Sequence, residues 1–287
     1  MVLRYTAQRA GRLSEILRGE LRISYGLMNR LKWQQQLFVN GISQHTNYPV
    51  AAGDVISIPL DDPKPDYPAQ EGNLTILFED EHLLAVDKPA GMLIHPSRNK
   101  NTDTLANFVL GYYRQTGQDC AFHPITRLDR DTFGIVLLAK HSHAHALMQK
   151  TPLTKTYHAL TYGGPRENSG IIDAPIARCE LPSLLRRISP DGKPSRTEFS
   201  LLFRGEAMCL LALTPVTGRT HQLRLHCAHM GFPILGDPQY GSEESQAFSQ
   251  RLGFATQQLC AKTLSFLHPL TGQERILTSS LDVPNPY

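Results

Sequence analysis

Between Ile125 and Lys140 a knot of charges runs straight into an almost wholly apolar segment. Arg127, Asp129, Arg130 and Asp131 come first, and Ile135-Val136-Leu137-Leu138-Ala139 follows after Gly134. The apolar run is too short for a helix and is closed by Gly134 and Lys140, so it reads as a fully buried strand. Four charges at the mouth of such a strand are costly to desolvate unless they pair with one another or meet a polyanionic substrate. A structural ion-pair turn ahead of a core strand is the plain alternative, and the rest of the chain has to decide between the two.

With 287 residues the chain can bury a sizeable core, and a large domain plus a small one is the expected organisation. A net charge of +3 is too slight to name a nucleic acid as partner, so its distribution matters more. Residues 1 to 59 carry seven basic side chains (Arg4, Arg9, Arg12, Arg18, Arg22, Arg30, Lys32) against three acidic ones (Glu15, Glu20, Asp54), which leaves the remainder close to neutral. The five cysteines, Cys120, Cys179, Cys209, Cys227 and Cys260, are odd in number and form no Cys-x-x-Cys pair. That argues against a disulfide framework or a thiolate zinc site and for a reducing, cytoplasmic setting. No signal-like opening and no apolar run near the roughly 20 residues of a membrane span occurs, so a soluble protein with no membrane partner is expected.

In the first segment Leu13, Ile16, Leu17 and Leu21 carry a helical spacing, as do Leu27, Met28 and Leu31 behind the candidate cap Ser24. Residues 37 to 41 read as a strand entering an Asn-Gly turn and 53 to 58 as another strand. Residues 60 to 73, with Pro63, Pro65, Pro68 and Gly72, cannot hold a helix or a paired strand and are expected to form a linker. From 74 to 287 the pattern gives strands near 74–78 and 83–86, a helix near 104–113 capped by Thr102 or Asp103, and then the buried strand. Strands near 157–162, 197–203, 208–213, 263–267 and 274–278 follow. One helix interrupts them, from Thr220 as cap to Gly231 as stop, with Leu223, Cys227 and Met230 facing inward. Strands in runs with a few inserted helices predict an α+β domain on a mixed, largely antiparallel sheet.

Arg127-Leu128-Asp129-x-x-Thr132-x-Gly134 resembles the catalytic motif of the RluA family of RNA pseudouridine synthases, with Asp129 in the place of the catalytic aspartate. Leu83-Leu84-Ala85-Val86-Asp87-Lys88-Pro89-Ala90-Gly91 is similar to the family's opening strand and Lys-Pro-x-Gly turn. Lys155-Thr156-Tyr157 matches the second motif, and Thr217-Gly218-Arg219-Thr220-His221-Gln222-Leu223-Arg224 with Gly236-Asp237-Pro238-x-Tyr240-Gly241 matches the third. The matches come in order and span about residues 70 to 285. They imply a pseudouridine synthase fold, a cofactor-independent isomerase, and structured RNA, ribosomal or transfer, as partner. The helix-helix-strand order of residues 1 to 59 is similar to the small RNA-binding module shared by a small-subunit ribosomal protein and tyrosyl-tRNA synthetases.

Turning uridine into pseudouridine breaks the bond from the base nitrogen to C1′ of the ribose, rotates the base and rejoins it through carbon. A carboxylate suits an anomeric centre because it can stabilise charge there, attack it, or take a neighbouring proton, and Asp129 is the candidate. Whether it attacks C1′ or removes the C2′ proton stays open. Desolvation would leave Asp129 protonated unless a cation opposes it; the resemblance implies that Arg224 does so, with a fork able to grip a carboxylate bidentately. Tyr157 would stack on the extruded uracil. Arg127 would help occupy the gap left by the flipped base, and Arg219, His221 and Leu223 complete the expected substrate-binding set. Thr126 and Phe133 stand where the family usually has His and Ser, and Cys260 where His is common; Phe133 predicts a repacked Asp129 loop. His141 with His145, and His221 with His226 and His229, suggest a metal only weakly, since no Asp or Glu lies between Lys140 and Lys155, and no metal ligand is expected. The rival readings are a catalytically silent RNA-binding protein and a metal-dependent nucleic-acid hydrolase.

Overall fold

The computed structural model describes residues 2–60, 62, 67–97, 100–180, 183 and 185–285. The chain opens with β1 (Val2–Thr6), β2 (Gly11–Arg12), α1 (Leu13–Gly19), α2 (Tyr25–Trp33), β3 (Phe38–Val39), β4 (Ile42–Ser43), β5 (Pro49–Val50) and β6 (Val55–Pro59). Leu13, Ile16 and Leu17 of α1 and Met28 and Leu31 of α2 pack on Leu3, Val39, Ile56 and Ile58 of a sheet ordered β1-β6-β3-β4. Ser24 caps α2 by accepting from Leu27 N, as its position predicts. Asn40 and Gly41 both take positive φ (50° and 81°), the requirement of the two-residue turn joining β3 to β4. The strand β1 is an addition to the sequence reading: it pairs with the distant β6, a partner no local signal announces.

Next come β7 (Thr75–Glu79), β8 (Leu83–Lys88), α3 (Leu105–Gln115), β9 (His123–Pro124), β10 (Phe133–Ala139), α4 (Ser142–Met148) and β11 (Leu153–Tyr162). They are followed by β12 (Ser169–Asp173), β13 (Ile176–Arg178), β14 (Arg186–Ile188), β15 (Arg196–Arg204), β16 (Met208–Pro215), α5 (Gln222–His229), α6 (Glu243–Arg251), β17 (Leu259–Leu267) and β18 (Glu274–Thr278). Among the described residues a ten-stranded sheet runs β12-β15-β16-β11-β17-β10-β8-β7, with β18 beside β17 and β9 beside β10. The β10–β17 pair is parallel and the others are antiparallel, as the mixed, largely antiparallel expectation has it.

The apolar continuity of β10 has a direct cause. Ile135, Leu137 and Ala139 pack with Ala144 and Met148 of α4, whereas Val136 and Leu138 pack with Leu105, Val109 and Tyr113 of α3. Both faces are covered, so neither can be polar. On the other half of the sheet Phe199, Leu211 and Leu213 pack against Leu223 and Cys227 of α5. Burying each such aliphatic side chain is worth about 1.5–3 kcal/mol, so these packed faces fix the frame on which the intervening loops hang.

Several boundaries differ from expectation. The cap of α3 is Thr104, whose backbone N–H donates to Asn107 Oδ1 (3.0 Å), while Asp103 takes φ 57° and cannot serve as an extended cap. The helix α5 starts at Gln222 because His221, at φ 57°, turns the chain one residue later than Thr220 would. Met230 caps its end and is exposed, since Gln222 to Cys227 already fill the interior. The polar helix α6 was invisible to apolar spacing; it presents the small Ser245 and Ser249 inward, and Ser249 Oγ accepts from Gly236 N (2.8 Å). Of the linker expected over 60–73, residues 61 and 63–66 lie outside the described residues. The part beyond them is docked: Gln70 N donates to Asn107 O (2.9 Å), Asn107 Nδ2 donates to Pro68 O (2.7 Å), and a Cβ on Gly72 would come within 2.4 Å of the Phe108 ring. Proline and glycine exclude a ladder there but not packing.

Candidate active site

The loop 125–132 between β9 and β10 is tacked down at three points. Thr126 Oγ1 accepts from Leu137 N (2.9 Å), so the threonine in the family's histidine position serves the strand. Lys88, fully buried at the end of β8, donates to Pro89 O (2.9 Å), Met92 O (3.0 Å) and Arg130 O (2.9 Å). Burial pulls its pKa down to about 8, against the pull of Asp131 and Asp129. Thr132 Oγ1 accepts from Gln257 Nε2 (3.0 Å). Of the four charges, Arg130 and Asp131 satisfy each other through two hydrogen bonds of 3.0 and 2.8 Å. Arg127 and Asp129 instead line a cleft of about 610 Å³.

Gly134 makes the turn from loop to strand possible. Its φ is 102°, and a Cβ there would sit 2.4 Å from Ala261 O, so both conformation and the approach of β17 demand glycine. Phe133 and Cys260 are register partners across β10 and β17 and share one apolar cluster with Leu160 and Leu235. Two departures from the family pattern are therefore neighbours: a small thiol stands beside the large ring.

All seven residues expected from the sequence, Asp129, Arg224, Tyr157, Arg127, Arg219, His221 and Leu223, line this cleft. Lys155 and His95 also line it. Tyr157 sits at a bulge where the register of β11 on β17 shifts, and its hydroxyl pKa is raised by burial and by the Asp129 charge. Leu223 is the apolar floor, 7% exposed. Arg219 orients its own loop: its N–H donates to Gln222 Oε1 (3.0 Å) and its Nε to Pro194 O (3.3 Å). Arg127 is exposed and makes no hydrogen bond or ion pair with the described residues.

Arg224 corrects one expectation. Its fork grips Asp237 rather than Asp129, through Nε to Oδ2 (2.7 Å) and Nη2 to Oδ1 (2.8 Å), with Nη2 also donating to Gln239 Oε1 (2.7 Å). Only Nη1 reaches Asp129 Oδ2, at 3.2 Å. The reason is burial: the Asp237 side chain is 1% exposed and needs full compensation, whereas that of Asp129 is 29% exposed and open to the cleft. Burial opposes the Arg224 charge, but the hydrogen bonds and charge of Asp237, joined by Asp129, raise its pKa above the ordinary arginine value.

His221 approaches the same Asp129 oxygen to 4.0 Å through Nε2. Its Nδ1 lies 2.9 Å from Tyr240 Oη, which accepts from Arg186 N (3.0 Å) and so has its own proton to give the ring. Burial lowers the His221 pKa, with Asp129 opposing and Arg224 assisting, which favours a neutral ring carrying its proton on Nε2. Asp237, Tyr240 and Lys88 were present in the quoted motif strings but had no role assigned; folding sets Asp237 against Arg224, Tyr240 against His221 and Lys88 against Arg130 O. Two of the other candidate histidines are occupied structurally: His141 Nδ1 accepts from Ala144 N (3.1 Å), and His226 bonds Thr197 Oγ1 (2.9 Å) and Ala174 O (3.0 Å). Among the described residues no three His, Cys, Asp or Glu side chains gather as a metal would require.

Residues 82–229 match the family model described as RNA pseudouridylate synthase. The uncharacterized RNA pseudouridine synthase YhcT of Bacillus subtilis (strain 168) is 35% identical over 91% of this chain and 86% of its own length. The ribosomal large subunit pseudouridine synthase C of Vibrio vulnificus (strain CMCP6) is 31% identical over 91% of this chain and 86% of its own. Among solved structures, human RNA pseudouridylate synthase domain containing 1 is similar over 76% of this chain and 86% of that one, with TM-score 0.57 and 25% identity.

Proposed function

Starting from the fact that the chain belongs to the RNA pseudouridylate synthase family, we propose that Asp129 is the carboxylate that carries its reaction, with Arg224 and Tyr157 beside it. The protein is an RNA pseudouridine synthase, an isomerase that acts on uridine in RNA. The observation behind the assignment is the Arg224 Nη1 contact to Asp129 Oδ2 at 3.2 Å, in the cleft that also holds Tyr157. A guanidinium there puts a fixed positive charge beside a carboxylate placed to act on the anomeric carbon or on its neighbour's proton.

The N1–C1′ bond of uridine breaks, the base turns within the cleft, and C5 joins C1′ while its hydrogen leaves and N1 gains one. Tyr157 offers a ring for the uracil to stack on, and Leu223 an apolar floor. Arg127 and Arg219 neutralise flanking phosphates, and Arg127 helps fill the place of the extruded base. Relatives named for the large ribosomal subunit favour ribosomal RNA as the substrate, and the basic segment 1–59 assists its binding. The setting is cytoplasmic; among the described residues no helix is long and apolar enough to cross a membrane.

Tritium release from RNA carrying 5-tritiated uridine tests the site. Asp129→Asn keeps shape and hydrogen bonding but cannot be nucleophile or base, so turnover should vanish while RNA still binds. Residual activity within tenfold of the parent would defeat the assignment. Pseudouridine mapping in ribosomal and transfer RNA with and without the gene tests the substrate, and a missing modification confined to transfer RNA would overturn the ribosomal reading.

A further inference from the structure

The exposed face of α2 carries the chain's single tryptophan. Trp33 is 83% exposed, and Tyr25, two turns earlier on the same helix, is 62% exposed. Met28 and Leu31 point into the module's core, and helical periodicity puts Trp33 almost diametrically opposite them, beside Asn29 and Arg30. An aromatic ring this open, ringed by polar and basic neighbours, is not a fragment of an apolar interface.

The charged residues of α2 itself, Arg30 and Lys32, are both basic. The module's acids are spent internally: Glu15 accepts from Arg12 N (3.2 Å), Glu20 from Tyr5 Oη and Arg9 Nε (2.9 Å), and Asp54 from Asn40 Nδ2 (2.8 Å) and Ala51 N (2.8 Å). Arg18, Arg22, Arg30 and Lys32 are exposed and form no ion pair with the described residues; Arg18 lies over the Tyr25 ring at 5.8 Å. Flat π-faces set among unpaired cations match one ligand chemistry: bases free to stack, joined by phosphates to be neutralised.

We propose that this face of α2 binds an unpaired stretch of the RNA, with a base stacked on Trp33 and its flanking phosphates against Arg30 and Lys32. The partner is single-stranded RNA rather than duplex, whose bases are hidden in the stack. The inference deepens the reading of residues 1–59 as an RNA-binding segment and rests on it.

Because Trp33 is the only tryptophan, the emission of the full chain reports this site alone. Titration with a twelve-nucleotide oligouridylate should quench that emission saturably, and a duplex of equal length should quench it much less. Trp33→Ala should weaken binding of the same oligomer, followed by anisotropy of a labelled end, by roughly five- to a hundredfold, with Trp33→Phe in between. In tritium release from the physiological RNA the loss should appear in KM rather than kcat. The proposal is overturned if the oligomer binds without changing the emission, if duplex quenches equally, or if Trp33→Ala binds like the parent. It is also overturned if the emission shifts on diluting the RNA-free protein, which would mean that a second copy covers the ring. Asp129-dependent turnover in the same preparation separates these outcomes from failure of the catalytic assignment, and loss of all oligomer binding to the module would instead remove the reading on which the inference rests.

Discussion

Arg224 divides its guanidinium unequally, giving two bonds to Asp237, one to Gln239 and one longer contact to Asp129. Asp237 is held in turn, since its Oδ1 also accepts from Gln239 N (2.9 Å) and Tyr240 N (3.2 Å). Asp237 thus sets where Arg224 points, and Asp129 receives a cation whose position is fixed before substrate arrives. Arg224→Lys replaces a fork that satisfies three acceptors with a point charge, and turnover should fall by on the order of 10² or more. Asp237→Asn turns an amide N–H toward the same fork and should lower kcat at least roughly tenfold with RNA affinity little changed, because breaking a buried pair costs about 3–5 kcal/mol unless the guanidinium moves. Single-turnover rates at saturating RNA measure both; parental rates in Asp237→Asn would show that the clamp has no bearing on chemistry. That Asp129, Arg224 and Tyr157 would share one cleft was legible in the sequence, because each sits in a short, locally readable string. The Asp237 clamp was not, because Arg224 on α5 and Asp237 in the loop after it lie thirteen residues apart and only folding brings them together.

At the scale of elements, the site depends on one crossing, where β10 leaves its loop against β17. Gly134 meets two demands there, a φ of 102° and the Ala261 backbone 2.4 Å from where a Cβ would stand. Gly134→Ala must move one strand or strain the other. The expected cost is about 3 kcal/mol or more, a fall in Tm of about 6–12 °C for a domain of this size. A thermal melt within about 2 °C of the parent would show that the strands yield more easily than this packing implies. The buried strand itself was readable because being covered on both faces removes every polar residue from it. Phe133 was readable as an oddity, but its reason was not: the space it fills is bounded by Cys260, a neighbour only across the sheet. Likewise the start of α5 depends on the left-handed His221; histidine enters that region more readily than most residues, but too rarely for the sequence to announce it.

At the scale of the whole molecule, the first 60 residues build a core from their own side chains, from Leu3 to Leu60, while the other clusters draw on residues from Tyr67 onward. His143 Nε2 on Leu21 O (2.9 Å) joins the two parts, and Asp62 Oδ2, in the stretch between them, accepts from Ser142 N (2.9 Å), both at the start of α4 and away from the cleft. We propose on that basis that residues 1–59 form a separable module. The strap from Tyr67 to Asn73 must stay with the catalytic part, because it packs on α3. A chain beginning at Tyr67 should therefore keep Asp129-dependent turnover at saturating RNA. It should bind more weakly at low salt, since the excess of four positive charges on residues 1–59 goes, offset only by the net two negative charges of residues 60–66 (Asp61, Asp62 and Asp66 against Lys64). Its log affinity should depend less steeply on log salt by about two to three units, at roughly 0.7 per phosphate contact on a single strand. An unchanged slope with unchanged affinity would show that the module does not touch RNA. Weaker binding at an unchanged slope would show that it acts through bases such as the one proposed for Trp33, with its charges facing elsewhere. Loss of turnover at saturating RNA would mean that the contacts at His143 and Asp62 carry structural weight into the cleft through α4 and β10.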